Sequence, residues 1–340
     1  MDPLNVVITV GRSEGQRLVD KVQAVSPNLN IIHRPTREAD DLADVAAEVD
    51  ILYTGDALLH PDDAPRLKWV QIHWAGVDHV LQHPLWTESN VLITNASGVH
   101  AINMGQYVMA MMLAFAHRIP VMIADTKAGT WRENRFAAYR PRELRGSTVG
   151  IVGYGAIGRE VARLAKAFGM TVLAIKRDVR HLADHDSYRV AGTGDPEGEL
   201  PDRYYPPEAL HTFLKDCDFV VLLVPLTEAT YHLIDQEALR AMPEHAVLIN
   251  VARGDVVDEA ALVEALREGW IAGAGLDVFS QEPLPEDSPL WGLENAILSP
   301  HVAGSTPYYN ERASDLFVDN LRRYLKDEPL LNVVQRDLGY

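Results

Sequence analysis

A glycine-rich turn between an apolar segment and a helical segment limits the possible folds of this chain more than any other feature. Residues 153–158 read Gly-Tyr-Gly-Ala-Ile-Gly, after the apolar run 148–152 and before the helical pattern of 157–168. In such a turn the first glycine permits the tight bend, the second lets a phosphate approach the backbone, and the third lets helix and strand pack closely. The N–H groups and positive dipole end of the helix also attract phosphate. The pattern therefore predicts a βαβ unit that binds a dinucleotide.

Strand and helix patterns alternate along the chain in two series. The first series has predicted strands at 6–10, 51–53, 69–72 and 91–94, and the second has them at 148–152, 171–175, 219–224, 246–251, 273–278 and 297–298. Alternating βα units form parallel sheets with helices on both faces. Because 340 residues are enough for two domains of about 150 residues, the predicted fold class is α/β with two doubly wound parallel-sheet domains.

Other segments give weaker expectations. The helical segment 102–117 is apolar nearly all round, which is typical of a helix buried between layers or subunits. Residues 308–326 have the pattern of an amphipathic helix, and 330–334 resembles a strand. Residues 181–207 are rich in glycine, aspartate and proline. We expect them to form a surface excursion, with a lid over the cofactor as the alternative.

Composition argues against several classes of partner. Lys and Arg number 31 against 48 Asp and Glu, and the net charge of −17 argues against nucleic acid or an anionic membrane as the main partner. The single cysteine, Cys217, allows no intramolecular disulfide, which fits a reducing compartment. The longest apolar run, 107–116, is shorter than the roughly 20 residues that span a bilayer, and the first residues lack a basic targeting region. We therefore expect a cytoplasmic protein with a small-molecule partner.

The end of the predicted strand 171–175 bears on which dinucleotide binds. An Asp or Glu there would accept hydrogen bonds from the ribose hydroxyls of NAD, but the chain carries Lys176 and Arg177. Because two cations attract a 2′-phosphate, the sequence favours NADP over NAD. Asp178 would serve the ribose if the strand ended two residues later, and a solvated basic strand end is a third interpretation.

Three polar side chains follow three predicted strands of the second series: Arg253, Glu282 and His301. Ligands bind at the carboxyl ends of parallel strands, so we expect all three on the cofactor side of one sheet. Reduction of a ketone needs a proton donor, and histidine titrates near neutrality. A carboxylate beside it favours the imidazolium, and an arginine fork fits a substrate carboxylate. The set predicts hydride transfer between a nicotinamide and a small 2-keto or 2-hydroxy acid.

Ordered motifs along most of the chain complete this pattern. They are Lys68-Trp69-Val70-Gln71, Ala75-Gly76-Val77-Asp78, Asn95-Ala96-Ser97-Gly98-Val99-His100, Leu144-Arg145-Gly146, Phe168-Gly169-Met170, Pro225-Leu226-Thr227 with Thr230, the run 250–253, Asp277 with Glu282-Pro283, and Ser299-Pro300-His301. In these motifs the chain resembles the D-isomer-specific 2-hydroxyacid dehydrogenase family, which includes glyoxylate/hydroxypyruvate reductases. The resemblance implies a flavodoxin-like substrate domain of residues 1–100 plus 303–340, and a Rossmann NAD(P)-binding domain of residues 101–302. It also implies a homodimer formed through the cofactor domain, which suits the apolar helix 102–117.

The resemblance also implies roles for single residues. Arg253 would bind the substrate carboxylate and carbonyl, and His301 would be the acid/base paired with Glu282. Asp277 would lie near the nicotinamide carboxamide. Backbone N–H groups of Ala75, Gly76 and Val77 would hold the substrate carboxylate from the other domain, beside Arg253 and His301. The expected cofactor-binding residues are Gly153, Tyr154, Gly155, Ala156, Ile157, Gly158, Lys176, Arg177, Val224, Pro225, Thr230, Val251, Ala252, Arg253, Asp277 and His301.

Departures from the family pattern leave some points open. Lys176 and Arg177 replace the common acidic residue, and Gln106 stands where many members carry one. The substrate side chain is set by pocket shape, for which the candidate residues are His73, Trp74, His100, Tyr308 and Tyr309.

Other functions compete with the reductase. Glu282 argues against the formate-oxidising relatives, which carry glutamine there, and phosphite oxidation is a remoter alternative. An NAD(H)-sensing binding protein, similar to the C-terminal-binding corepressors, is the alternative outside catalysis. A metal site is not expected, because His79 and His83 could share a helix face but no third ligand accompanies them.

Overall fold

The computed structural model describes residues 3–11 and 15–336, and these divide into two units. The first unit consists of residues 1–99, 186–190 and 306–340, and the second of residues 100–185 and 191–305. Each unit has its own parallel sheet. Elements are numbered in chain order.

The sheet of the first unit has five parallel strands. They are β1 (Leu4–Ile8), β2 (Leu29–His33), β3 (Ile51–Thr54), β4 (Trp69–Ile72) and β5 (Leu92–Thr94). Their order, β2-β1-β3-β4-β5, is that of flavodoxin-like folds. Every residue of β3 and β4 is buried, which is typical of parallel strands whose sheet is covered on both faces. The sequence patterns missed β2, a half-buried edge strand that contains Asn30 and His33.

Among the described residues of this unit, three α-helices accompany the sheet: α1 (Gly15–Gln23), α2 (Pro84–Thr87) and α10 (Tyr309–Leu325). The predicted amphipathic helix is confirmed as α10, whose buried face includes Phe317 and Leu321. Phe317 stacks on Tyr53 at 4.4 Å between ring centroids and packs beside Trp69. The helix thereby covers one face of the sheet.

The strand predicted at 330–334 is wrong. Only Val333 forms a bridge, with Thr94. Asn332 has a left-handed φ of 58°, which turns the chain away from an extended path. Asparagine tolerates this conformation better than most residues, so the local turn overrides the strand propensity of Leu and Val.

Part of the excursion 181–207 belongs to the first unit, and its residues 186–190 are exposed or partly buried, as expected of a surface segment. The backbone N–H of Asn332 donates to the carbonyl of Asp186 at 3.0 Å, and the N–H of Tyr188 donates to Asn332 Oδ1 at 2.8 Å. The Tyr188 ring packs among Ala96 and Leu331, and burial raises the pKa of its hydroxyl. Residues 186–190 are thus a fitted part of this unit.

The side chain of Asn332 holds this segment by hydrogen bonds, and replacing it should lower the free energy of unfolding. Its side chain also donates to the carbonyls of Asn95 (3.1 Å) and Ser97 (2.8 Å). Asn332→Ala loses three side-chain hydrogen bonds at about 1 kcal/mol each and strains the left-handed backbone by about 1 kcal/mol more. Asn332→Gly loses the same bonds without that strain. We expect a lower midpoint of denaturant unfolding for both, with the larger drop for alanine, and faster proteolysis within residues 181–207. A wild-type midpoint and cleavage rate in both variants would contradict this description.

The sheet of the second unit has seven parallel strands. They are β6 (Thr148–Val152), β7 (Thr171–Ile175), β8 (Arg203–Tyr205), β9 (Phe219–Leu222), β10 (Val247–Asn250), β11 (Gly273–Leu276) and β12 (Ala296–Leu298). Their order, β12-β11-β10-β9-β6-β7-β8, is the doubly wound Rossmann order with one further strand. The predicted fold class, two doubly wound parallel sheets, is therefore confirmed. Strand β8 lies within the excursion and was not predicted.

Seven α-helices pack in this unit. They are α3 (Ala101–Ala116), α4 (Ile119–Ala128), α5 (Arg135–Ala138), α6 (Ala156–Ala167), α7 (Leu210–Leu214), α8 (Gln236–Ala241) and α9 (Glu259–Arg267). Helix α3 packs on α6 so closely that a Cβ at Gly105 would lie 2.9 Å from Glu160 Cγ. Met104, Val108 and Met112 enter the core beside the sheet. The apolar character of α3 is thus explained by burial inside its own unit.

In the described part of the chain, no single helix has the length and apolarity to cross a membrane. The bent pair formed by α3 and α4, 65° apart, meets those criteria only when the two helices are joined.

Candidate functional site

The glycine turn after β6 leaves an open place at the start of α6. Gly153 has φ 103°, and a Cβ there would lie 2.8 Å from the Leu223 carbonyl carbon, while a Cβ at Gly158 would lie 2.4 Å from the Gly153 oxygen. Gly155 differs, because a Cβ there would meet nothing within 4 Å. It caps α6 without a side-chain hydrogen bond to the first-turn N–H groups. Open space in front of a helix N-terminus fits a phosphate group.

Tyr154 of the glycine turn and Arg159 of α6 both hold the excursion 181–207. Tyr154 is buried and donates its hydroxyl to Asp195 Oδ2 at 2.6 Å. Arg159 lies 5.0 Å from the Tyr154 ring and donates to the carbonyls of Asp195 and Leu182. Of Tyr154, therefore, only the backbone is available to a ligand. Sequence reasoning missed Arg159, although a cation in the first turn of a helix opposes the dipole and signals a specific partner.

Strand β7 is followed by two cations, Lys176 and Arg177, and by the carboxylate of Asp178, which is hydrogen-bonded within its own turn. Asp178 accepts hydrogen bonds from His181 Nδ1 at 2.6 Å and the Arg180 N–H at 2.9 Å, and these bonds, the former first, lower its pKa to about 2. Lys176 is half-buried, and burial followed by the nearby Arg159 lowers the pKa of its ammonium. Asp178 is thus used within its own turn, and Lys176 and Arg177 are the two cations that follow this strand.

The loops after β9 and β10 bring the other predicted cofactor residues to the same edge. Thr230 donates its hydroxyl to the Pro225 carbonyl at 2.6 Å, which closes the loop that begins at Val224. Val251 and Ala252 follow β10 and are buried. Because their side chains are buried, only the backbone of these two residues is available to a ligand.

The Arg253 loop is fixed by its neighbours. Buried Asn250 accepts the Ala252 N–H at 3.0 Å and donates to the Arg253 carbonyl at 2.9 Å. A Cβ at Gly254 would lie 1.9 Å from the Phe279 carbonyl carbon, so this position requires glycine for the loops after β10 and β11 to meet.

His301 and Glu282 form a hydrogen-bonded pair. His301 Nδ1 lies 2.7 Å from Glu282 Oε2, and both side chains are partly exposed, at 51% and 37%. His301 has a left-handed φ of 52°, and its N–H donates to the Asp277 carbonyl at 2.8 Å. The Phe279 N–H donates to Glu282 Oε1 at 3.1 Å. The predicted pair is thus brought together at the carboxyl edge of the second sheet. Arg253, in the loop after β10, lies at the same edge.

A buried carboxylate holds the loop that carries His301. Asp277 is 2% exposed and accepts three hydrogen bonds, from Ser299 Oγ (2.6 Å), the Val302 N–H (2.9 Å) and the Ala303 N–H (2.8 Å). Tyr107 extends this chain by a hydrogen bond to Ser299 Oγ. Asp277 therefore anchors residues 299–303. This role is separate from the position near the nicotinamide carboxamide that the resemblance implies for it.

Sequence reasoning missed two residues of α3 that support the same loop. Asn103 Nδ2 donates to the carbonyls of Ala303 (2.6 Å) and Ser305 (2.8 Å), one turn before Tyr107. These two side chains stand four apart in a helix that is apolar apart from them and the exposed Gln106, so they share one face. That spacing is a usable signal, because a buried helix retains polar groups where they have partners.

The other candidate histidines differ from His301. Burial lowers the pKa of His100 to about 4, with Arg253 as the second cause, and burial lowers the pKa of His73 in the first unit to about 4. Both are neutral at physiological pH. His83 caps α2 and His79 bonds the Gly55 carbonyl, so the idea of a shared helix face is wrong. Among the described residues, no group of three or more His, Cys, Asp or Glu could hold a metal ion.

The segment 75–77 follows β4 in the first unit. Ala75 and Gly76 are partly exposed, whereas the Val77 side chain is buried in the core. Only the backbone of Val77 is therefore available to a ligand.

Comparison with known proteins identifies the family. The model of the D-isomer specific 2-hydroxyacid dehydrogenase NAD binding domain matches residues 109–303, more than half of the chain. The chain belongs to the D-isomer specific 2-hydroxyacid dehydrogenase family. A glyoxylate reductase of Korarchaeum cryptofilum is 39% identical over 280 residues, which cover 81% of this chain and 78% of the relative. A glyoxylate reductase of Thermococcus onnurineus is 38% identical over 282 residues, 82% of this chain and 79% of the relative.

Solved structures of the family agree in fold. A D-isomer specific 2-hydroxyacid dehydrogenase from Xanthobacter autotrophicus, in complex with NADPH and MES, has a TM-score of 0.79 and 30% identity, covering 99% of this chain and 100% of its own. An NADPH-dependent glyoxylate/hydroxypyruvate reductase from Sinorhizobium meliloti, in complex with NADP and sulfate, has a TM-score of 0.75 and 28% identity, covering both chains fully.

Proposed function

We propose that this family member is an NADPH-dependent reductase that converts small 2-keto acids into D-2-hydroxy acids. The observation that carries the proposal is the 2.7 Å hydrogen bond between His301 and Glu282, at the same sheet edge as the open turn of Gly155. A paired, partly exposed histidine is a suitable acid, and an open helix N-terminus is a suitable phosphate site. The glyoxylate reductases among the relatives support the same reaction class.

The chain's own residues supply the proton and the orientation. The nicotinamide, when bound, supplies the hydride to C2 of the keto acid. His301 donates the Nε2 proton to the carbonyl oxygen as C2 accepts the hydride, so that 2-keto acid, NADPH and H⁺ give 2-hydroxy acid and NADP⁺. Glu282 fixes the imidazole ring through Nδ1 and stabilises the imidazolium. Arg253 holds the substrate carboxylate with its guanidinium fork and polarises the carbonyl.

We propose that the second unit, expected as 101–302, binds NAD(P) with preference for NADP. The backbone of residues 153–158 would hold the pyrophosphate, and Lys176 and Arg177 would bind the 2′-phosphate. The remaining proposed contacts are those of Val224, Pro225, Thr230, Val251, Ala252, Arg253, Asp277 and His301. The commitment of Asp178 to His181 and Arg180 supports NADP, as do the NADPH and NADP in the two solved relatives.

We propose that the first unit, expected as residues 1–100 plus 303–340, binds the substrate. The N–H groups of Ala75, Gly76 and Val77 would hold the substrate carboxylate there. This segment follows the carboxyl end of β4, where ligands of doubly wound folds bind.

We propose a homodimer formed through the second unit, by a surface other than α3. Helix α3 is buried in its own unit, whereas Trp131 and Phe136 are each 82% exposed and Ile123 is 50% exposed. Arg135 lies 4.6 Å from the Phe136 ring, and the same region borders a cavity of about 180 Å³. Exposed aromatic patches of this kind mark interfaces, and a second copy is the occupant we propose. Light scattering should give twice the mass of one chain, and a monomer would contradict the proposal.

A cytoplasmic location is also a proposal. It rests on the net charge of −17 and on the single cysteine, Cys217, which is buried and whose thiol pKa is raised by that burial. Fractionation of the native host would test it, and recovery outside the cytoplasm would contradict it.

The direct test of the reaction is turnover of the pure protein. Oxidation of NADPH and of NADH is followed by the loss of nicotinamide absorbance, with glyoxylate, hydroxypyruvate, pyruvate and phenylpyruvate. We expect turnover with at least one keto acid and a higher kcat/KM with NADPH. Binding of both cofactors without turnover of any substrate would instead favour the NAD(H)-sensing function.

A further inference from the structure

A half-exposed aromatic ring lies at the carboxyl edge of the first sheet. Trp74 follows β4 and is 38% exposed, although it is one of the largest apolar side chains in the protein. Its indole Nε1 donates to Asp56 Oδ1 at 3.1 Å, and Asp56 belongs to the loop after β3. The ring also lies against Gly55, where a Cβ would be 3.0 Å from Nε1. One side of the ring is therefore fixed by the protein and the rest faces solvent.

The ring is supported from behind by a rigid, uncharged cluster. His73 meets Trp74 edge to face at 5.0 Å, and Tyr309 lies 6.1 Å from it. His73 is held by the Tyr53 hydroxyl at 2.8 Å and by Asn310 Oδ1 at 3.3 Å, and the Tyr309 hydroxyl donates to its carbonyl at 3.0 Å. Burial keeps this histidine neutral. Trp74 therefore presents a preformed apolar surface, and the side chains of His73 and Tyr309 that pack against it carry no charge.

The position of this surface in the chain connects it to the substrate. Trp74 directly precedes the segment 75–77, which we propose to bind the substrate carboxylate. A side chain extending from C3 of a bound 2-keto acid must lie near residues that flank that segment. The carboxylate of Asp56, which lies 3.7 Å from the exposed guanidinium of Arg37, disfavours a second negative charge on that side chain.

We infer that Trp74 is a wall of the substrate side-chain pocket and that the enzyme prefers 2-keto acids with a large apolar side chain, aromatic ones above all, over glyoxylate and over keto diacids. Aromatic rings pair favourably in offset or edge-to-face contact, and a preformed surface adds no ordering cost. The inference rests on the proposed function, because it assigns the substrate class of the same reaction.

The experiment compares phenylpyruvate with glyoxylate in the full-length protein. For Trp74→Ala we expect kcat/KM for phenylpyruvate to fall by about 10- to 100-fold, mainly through KM, because contacts of a few carbon atoms discriminate by such factors. With glyoxylate the loss should stay below about threefold, because glyoxylate has no side chain to place. Trp74→Phe should recover most of the preference, since it retains an aromatic face.

A matched control and a separate baseline keep the outcomes distinct. Trp291 is 59% exposed, donates its Nε1 to the Pro285 carbonyl at 2.8 Å and lies in the second unit. Trp291→Ala should leave kcat/KM unchanged for both phenylpyruvate and glyoxylate. Equal loss for both substrates in Trp74→Ala, or an unchanged phenylpyruvate-to-glyoxylate ratio, would overturn the inference. Absence of turnover with every keto acid in the wild type would refute the proposed function itself.

Discussion

His301→Asn should lower kcat for 2-keto acid reduction by about 10²- to 10⁴-fold, the usual contribution of a general acid, while NADPH still binds. The proton that His301 donates has no other source on this loop, because the asparagine amide does not give up a proton at neutral pH. His100, whose pKa is lowered to about 4 by burial and then by Arg253, is neutral. Single-turnover kinetics with fluorescence titration of NADPH would separate the chemical step from cofactor binding.

Asparagine is preferred to alanine because of the backbone at this position. His301 has φ 52°, a conformation that asparagine tolerates better than alanine does. His232 offers a matched control, since it is a histidine of the same unit with φ 49° that stacks on Tyr231. His232→Asn should keep kcat within about twofold of wild type. A His301→Asn variant with wild-type kcat would remove His301 from the acid role.

The second large effect concerns the choice of cofactor. Lys176→Asp combined with Arg177→Ala should lower the ratio of kcat/KM with NADPH to kcat/KM with NADH by about 10²-fold or more. Two charge-assisted contacts to a 2′-phosphate are lost, each of about 1.5–3 kcal/mol, and the new carboxylate repels that phosphate. The loss should be greatest at low ionic strength, where charge interactions are screened least.

Two control variants define the source of this effect. Arg203 begins β8, at the amino edge of the same sheet, and stacks on Tyr205. Arg203→Ala removes one guanidinium charge, as Arg177→Ala does, but from the opposite edge, and should leave the cofactor ratio unchanged. Asp178→Asn should also leave it near wild type, because Asp178 is bound to His181 and Arg180. An unchanged ratio in the double variant would show that Lys176 and Arg177 do not read the phosphate.

What the sequence could predict is whatever its local patterns encode. The glycine turn, the central strands and helix α10 were predictable because each is encoded by a residue pattern within one short segment of the sequence. The pairing of His301 with Glu282 was also predictable, because both follow parallel strands whose carboxyl ends must meet at one edge.

The rest depends on contacts distant in sequence. The strand expected at 330–334 is absent because Asn332 turns left-handed to meet Asp186 and Tyr188, more than 140 residues away. Residues 186–190 carry no local pattern that predicts their place in the first unit. The support of the His301 loop by Asn103 spans about 200 residues, and only the polar spacing within α3 indicates it.

The most direct measurement of the central claim uses NADPH that carries deuterium at both C4 positions of the dihydronicotinamide. Pyruvate or phenylpyruvate is reduced, and the product is analysed by mass spectrometry and chiral chromatography. We predict a D-2-hydroxy acid with one deuterium at C2, because the hydride passes directly from the nicotinamide to that carbon. An unlabelled product, an L-2-hydroxy acid, or no hydroxy acid at all would contradict the proposed function.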